Sequence, residues 1–214
     1  MEEPVIISGA GITLESRFVK GVKAGGVVIT HPHPLYGGSM DNNVVWTAAK
    51  AFEARGRATL RFNFRGVGES GGTYGQGLKE VEDLAAALDF LKARTPGPHL
   101  VVGYSFGAFV AAHAMLQGLK ADGVLMIAPP IAFMEMAFLP QVPRLCLVIA
   151  GDHDDLCPLA DLQKLLGPEG ERTTHSKAEP PPLTVIAGAD HFFRGREEQL
   201  YKVLRGYTWP EVAA

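Results

Sequence analysis

Cysteine is nearly absent: Cys146 and Cys157 are the only two among 214 residues, too few for the disulfide framework of a small secreted fold. Neither sign of charge dominates, with 20 Lys and Arg against 23 Asp and Glu and a net charge of -3. Composition therefore offers no basic patch, and nucleic acid is not an expected partner. No apolar run approaches a membrane span, and the start, Met1-Glu2-Glu3-Pro4, is acidic where a secretory leader is basic. The chain reads as soluble and cytoplasmic, with no membrane partner. What it has in quantity is apolar residues, 47% of the total, enough for one globular domain over residues 1–214 with a full core.

Short apolar runs alternate with helical patterns. Val5–Ile7 and Leu14–Lys20 suggest a hairpin at a sheet edge. Val27–Thr30, Ala58–Phe64, Leu100–Tyr104, Gly123–Ala128, Leu145–Ala150 and Leu183–Ala187 are strand candidates, several apolar enough for burial on both faces. Asp41 or Asn42 is placed to cap a helix over Val44–Arg55. Leu78, Val81, Leu84, Ala85, Leu88 and Leu91 repeat at helical spacing over Leu78–Ala93. Further helices are expected at Ala108–Gln117, Leu159–Leu166 and Arg196–Leu204. The alternation predicts an α/β fold: a mainly parallel, doubly wound sheet flanked by helices, with right-handed crossovers. Working loops in such sheets gather at the carboxyl ends of the strands. Gly167–Pro182, with its Pro180-Pro181-Pro182, reads as a polar surface loop.

The strand Leu100–Tyr104 runs into Gly103-Tyr104-Ser105-Phe106-Gly107 and then an Ala-rich helix. Strand, tight turn and helix around Gly-x-Ser-x-Gly lift a serine hydroxyl out of a strained turn, beside the first free N–H groups of the helix. A serine hydroxyl needs a base within reach, and the base needs an orienting acid. Both are available later in the chain. Asp152, Asp154 and Asp155 follow the strand ending at Ala150, and His191 follows the last strand. Seven histidines compete for the base. His113 is carried about 12 Å from the turn by the rise of its helix. His99 precedes a strand, His175 lies in the polar loop, and His153 adjoins the acid. His191 alone has position and order, Ser before Asp before His.

Three other stretches carry weaker signals. His31-Pro32-His33-Pro34 could hold a metal, but no carboxylate or cysteine cluster complements it, so no metal site and no cofactor are expected. Its expected role is to shape an oxyanion-binding loop, with Phe106 giving one N–H. Pro32 and Pro34 have none, which leaves His33, Leu35 or Tyr36 for the second. Gly66-Val67-Gly68-Glu69-Ser70-Gly71 matches a dinucleotide fingerprint, but Gly72–Gly77 intervenes before any helix. A loop at the rim of the site is the better account. Ile131–Leu139 reads as a short helix on the sheet, from which Phe133, Met134, Met136 or Phe138 could line an apolar pocket. Cys146 reads as a buried thiol, and Cys157 sits near the site with no base beside it.

These segments together resemble the α/β-hydrolase superfamily, especially its small cap-less members related to dienelactone hydrolases. The resemblance rests on His-Pro-His-Pro-Leu-Tyr-Gly-Gly at 31–38, Arg-Phe-Asn-Phe-Arg-Gly-Val-Gly at 61–68, Gly-Tyr-Ser-Phe-Gly at 103–107, Gly-x-x-Asp-x-x-x-Pro at 151–158 and Gly-Ala-x-His-Phe-Phe at 188–193. It implies Ser105 as nucleophile, His191 as base and Asp154 as acid, the family's acid standing three residues after the glycine and four before the proline. It favours His33 as the second oxyanion donor beside Phe106. It implies cleavage of small carboxylic esters or thioesters without a cofactor; Leu35, Tyr36, Phe133 and Met134 are the expected substrate contacts. The same residues would also serve an amidase or acyltransferase, and a non-catalytic ligand-binding member would keep the fold.

Overall fold

The computed structural model describes residues 2–9, 11–167 and 181–209; most of the polar loop 167–182, with His175, lies outside them. Five central strands, buried on both faces over most of their length, form the middle of one eight-stranded sheet: β3 (Gly26–Thr30), β4 (Ala58–Phe62), β5 (His99–Tyr104), β6 (Gly123–Ile127) and β7 (Leu145–Gly151). β1 (Glu2–Gly9) and β2 (Ile12–Val19) form the expected antiparallel hairpin on one edge, and β8 (Leu183–Ile186) closes the other. The order is β1-β2-β4-β3-β5-β6-β7-β8, parallel from β4 onwards.

Helices α1 (Asn43–Glu53) and α5 (Glu197–Gly206) pack together on one face, while α2 (Glu80–Lys92) and α3 (Phe106–Leu116) pack together on the other. The Asn42 side chain caps α1 by accepting the Val44 N–H at 2.9 Å. α4 (Leu159–Leu166) follows β7. β3 has β4 on one side and β5 on the other. Connections leave it toward opposite faces, and a crevice opens at the carboxyl ends of β3 and β5. Thr30 pairs with Gly103 there, so the loop after β3 emerges beside the turn after β5. Gly151 pairs with Ile186, which brings the loops after β7 and β8 out side by side.

Three expectations change. Ile131–Leu139 is not a helix. Phe133 and Met134 N–H both return to the Pro130 carbonyl, at 2.9 and 2.8 Å, and the chain then bends away. Its apolar residues go to separate places: Met136 and Leu139 into the core, Phe133 outward, and Phe138 onto His113. α2 begins at Glu80, not Leu78, because the Glu80 carboxylate turns back to accept the Gly75 and Gly77 N–H groups at 2.7 and 2.8 Å. Cys146 is only half-buried. Register slips between β6 and β7, with Val124 opposite Leu145 and Leu125 opposite Leu147. Cys146 is the extra residue of that bulge, and its thiol donates to the Arg144 carbonyl at 3.1 Å.

Candidate active site

The turn after β5 is built by close packing. Ser105 has φ 53° and ψ -120°, a strained conformation for a residue with a Cβ. Its N–H is held by the Ile127 carbonyl of the neighbouring strand at 2.9 Å. A Cβ on Gly103 would lie 2.6 Å from the Ala108 Cα, and one on Gly107 would lie 2.3 Å from the Thr30 Oγ1. Only glycine lets strand, helix and the neighbouring loop approach this closely.

The Ser105 Oγ lies 2.8 Å from the His191 Nε2. On the far side of the ring, Nδ1 lies 2.9 Å from each Asp154 carboxylate oxygen. A carboxylate only accepts, so Nδ1 carries the proton and Nε2 is free to accept from the serine. All three residues are buried. Asp154 Oδ1 also accepts the Leu156 and Cys157 N–H groups, at 2.9 and 2.8 Å. Of its two rivals, Asp152 is exposed and accepts the Gly188 N–H at 2.6 Å, and Asp155 is exposed.

His191 is held from several sides. Asp190 Oδ1 accepts the Phe192 and Arg194 N–H groups, and Phe193 is fully buried. The Phe192 ring meets the imidazole edge-on at 5.5 Å. Two further ties were not legible from the sequence. The Tyr104 hydroxyl donates to the His191 carbonyl at 2.9 Å, and Asn43 Nδ2 donates to the Phe192 carbonyl at 2.9 Å. Both partners are main-chain oxygens distant in sequence, which no spacing rule marks. Burial, reinforced by the Asp154 and Asp190 carboxylates, raises the Tyr104 pKa and keeps its phenol a donor.

The loop after β3 supplies the opposite wall. Its first residue, His31, is fully buried; Nε2 accepts the Phe64 N–H at 3.0 Å and Nδ1 donates to the Pro32 carbonyl at 2.7 Å. Both nitrogens are engaged, Nε2 tying the end of β3 to the end of β4 and Nδ1 closing onto its own loop. Burial lowers its pKa to about 4, the ring's bond to Pro32 opposing and the His33 charge adding slightly. His33 accepts the Leu35 N–H on Nδ1 at 3.2 Å and meets the Tyr74 hydroxyl through Nε2 at 3.1 Å. Its ring packs on the Phe106 ring at 4.9 Å, so the residues expected to give the two oxyanion donors touch through their side chains. Partial burial lowers the His33 pKa.

Between these walls lies a cavity of about 370 Å³ lined by Pro32, His33, Tyr36, Ser105, Phe133 and Phe192, with His191 and smaller contributions around them. Of the four expected substrate contacts, Tyr36 and Phe133 line it, whereas Leu35 faces solvent and Met134 packs against the core. The other described histidines stay apart. His99 binds Thr95 at the other end of the sheet, His113 lies between the Phe109 and Phe138 rings, and His153 is exposed. Cys157 is fully buried, and burial with the Asp154 charge raises its pKa, which keeps the thiol protonated. Among the described residues no three His, Cys, Asp or Glu side chains converge on a point that could hold a metal ion. No described helix is long and apolar enough to cross a membrane.

A model of the family described as serine aminopeptidase, S33, matches residues 27–154. The chain belongs to this family of α/β hydrolases. A structure described as an α/β serine hydrolase homologue from Coxiella burnetii is 35% identical to this hydrolase, with 95% of each chain covered and a TM-score of 0.81. A Xanthomonas campestris protein described as an α/β serine hydrolase without a lid is 28% identical, covering 95% of this chain and 92% of that one, with a TM-score of 0.83. An uncharacterized protein of Rickettsia prowazekii is 33% identical over 210 residues, 95% of this chain and 87% of its own. The hydrolase has no inserted domain between β6 and β7, where only residues 128–144 run.

Proposed function

We propose that this hydrolase cleaves small carboxylic esters or thioesters through an acyl-enzyme on Ser105. The observation that carries the reading is the buried line from the Ser105 hydroxyl through His191 to Asp154. Ser105 Oγ attacks the carbonyl carbon as His191 Nε2 takes its proton, and Asp154 stabilises the imidazolium. The N–H groups of Phe106, at the start of α3, and His33 receive the charge that develops on the carbonyl oxygen. Collapse breaks the bond to the leaving alcohol or thiol, which takes the proton from His191. Water then attacks the acyl carbon, giving its proton to the same nitrogen. The bond to Oγ then breaks, Ser105 takes the proton back from His191, and the acid leaves.

An uncharged, apolar acyl group suits the cavity best. Tyr36, Phe133, Phe192, Pro32 and Pro130 dominate its walls, and among the described residues no Asp, Glu, Lys or Arg lines it. The family's description suggests a second reading, release of an N-terminal residue from a peptide. That reaction needs a partner for the free ammonium of the substrate. Among the described residues no lining carboxylate offers one, which favours the ester reading. Two free thiols fit a reducing, cytoplasmic setting, and a small-molecule substrate is the expected partner.

The test is a fluorophosphonate probe followed by a substrate panel. Wild type should label and Ser105→Ala should not. Apolar p-nitrophenyl esters and thioesters should turn over at least ~100-fold faster than aminoacyl anilides of similar size. A folded wild type that resists the probe would instead indicate a ligand-binding protein that keeps the fold, and preference for the anilides would establish the peptidase reading.

A further inference from the structure

We propose that Tyr74 is a positioning residue of the oxyanion-binding loop, acting through the ring of His33. The proposal rests on the serine-hydrolase reading above and adds a part that it does not assign. Tyr74 stands in the glycine-rich stretch between β4 and α2 and does not line the cavity. Its hydroxyl nevertheless reaches the wall of the site, 3.1 Å from the His33 Nε2.

The direction of that bond follows from the other nitrogen. Nδ1 accepts the Leu35 N–H, so a neutral His33 carries its proton on Nε2 and donates it to the Tyr74 oxygen. With both nitrogens committed, the ring cannot turn without losing one bond. Aromatic neighbours enclose it, with the centroids of Tyr36, Tyr74 and Phe106 at 4.9, 5.1 and 4.9 Å. Pro32 and Pro34 flank His33 and stiffen its backbone. A fixed ring therefore means a fixed N–H, set against Phe106, which carries the other proposed donor.

Tyr74 is itself anchored at both ends of its loop. Upstream, Arg65 makes a two-pronged contact with the fully buried Asp83 carboxylate of α2, at 2.7 and 3.1 Å. Downstream, the fully buried Glu80 of α2 holds the Gly75 and Gly77 N–H groups. Two buried carboxylates on one helix thus set where the Tyr74 ring stands. Donors aimed in advance at the developing charge are worth most when they need not reorganise during the reaction. The loop with the glycine fingerprint, which binds no nucleotide by this reading, supports the donor from behind.

Tyr74→Phe keeps the ring and removes the bond. Ser105 phosphonylation by the probe and ester turnover should both slow roughly tenfold, with KM within about twofold. A merely structural tyrosine would not show the second signature: in a His33→Phe background, Tyr74→Phe should have no further effect, because the route to the backbone is gone. Wild-type rates in Tyr74→Phe, a change confined to KM, or the same loss in both backgrounds would overturn the proposal. Turnover surviving in Ser105→Ala would defeat the serine reading instead, so the two failures are distinguishable. Equal thermal midpoints for Tyr74→Phe and wild type are expected within a few degrees; a collapse of the fold in that variant would make Tyr74 a core residue and end the positioning role.

Discussion

Tyr104 donates its buried hydroxyl to the main-chain carbonyl of His191, 87 residues away, at 2.9 Å. The residue next to the proposed nucleophile therefore holds the segment that carries the proposed base. Tyr104→Phe keeps the ring but leaves a carbonyl without its donor. A cost of about 1–2 kcal/mol is expected, read as a lower urea midpoint. kcat should fall several-fold with KM nearly unchanged, since His191 loses its tether while the cavity keeps its shape. A variant that loses stability but no activity would show that the tether does not aim the imidazole.

Acid should loosen the fold through His31. Its pKa in the folded chain is about 4, against the ordinary 6.5, because burial disfavours the cation. Between those values the unfolded chain binds a proton that the folded chain refuses. Stability from this residue is thus complete above pH 6.5 and declines as pH falls toward 4, by up to about 3 kcal/mol. Urea unfolding from pH 7 to 4.5, compared between wild type and His31→Gln, isolates it. The stability gap between the two proteins should narrow on acidification; parallel curves would remove His31 from the account.

Gly107→Ala should destabilise although helices ordinarily favour alanine by about 1 kcal/mol. Its Cβ would meet the Thr30 Oγ1 at 2.3 Å and the His31 carbonyl oxygen at 2.9 Å. Relieving those contacts pushes apart α3 and the loop with His33, with a net loss of about 2 kcal/mol. Activity should fall with it. Gly206→Ala is the control, because open space surrounds Gly206 in the last turn of α5. That substitution should raise the melting midpoint or leave it unchanged.

Much of the fold was legible because its strongest signals were local. Apolar runs such as Val27–Thr30 became strands buried throughout, and α4 spans the expected residues, Leu159–Leu166. The Ser105 turn was legible for the same reason, since strand, turn and helix adjoin. Choosing Asp154 from three neighbours drew on family resemblance; its side chain is buried against His191, while Asp152 and Asp155 are exposed. Ile131–Leu139 was misread because a helical composition was taken without its neighbours. Pro129 and Pro130 start the segment in tight turns, and burial then pulls Met136 and Leu139 one way and Phe133 the other. The slip at Cys146 and the Tyr74–His33 bond depend on which strands and loops become neighbours. That knowledge exists only after the sheet has formed.

One consequence concerns the order in which the site assembles. The hydroxyl of Ser105 and the carboxylate of Asp154 are fixed by β5, β6 and β7, whereas the imidazole arrives on the segment beyond β8, the last strand of the sheet. A nascent polypeptide emerging from its amino end holds an alcohol and an acid, but no proton acceptor between them, until its final quarter has been made and has docked. By the mechanism proposed above the unfinished molecule is inert, and so is any fragment cut short before the closing strand.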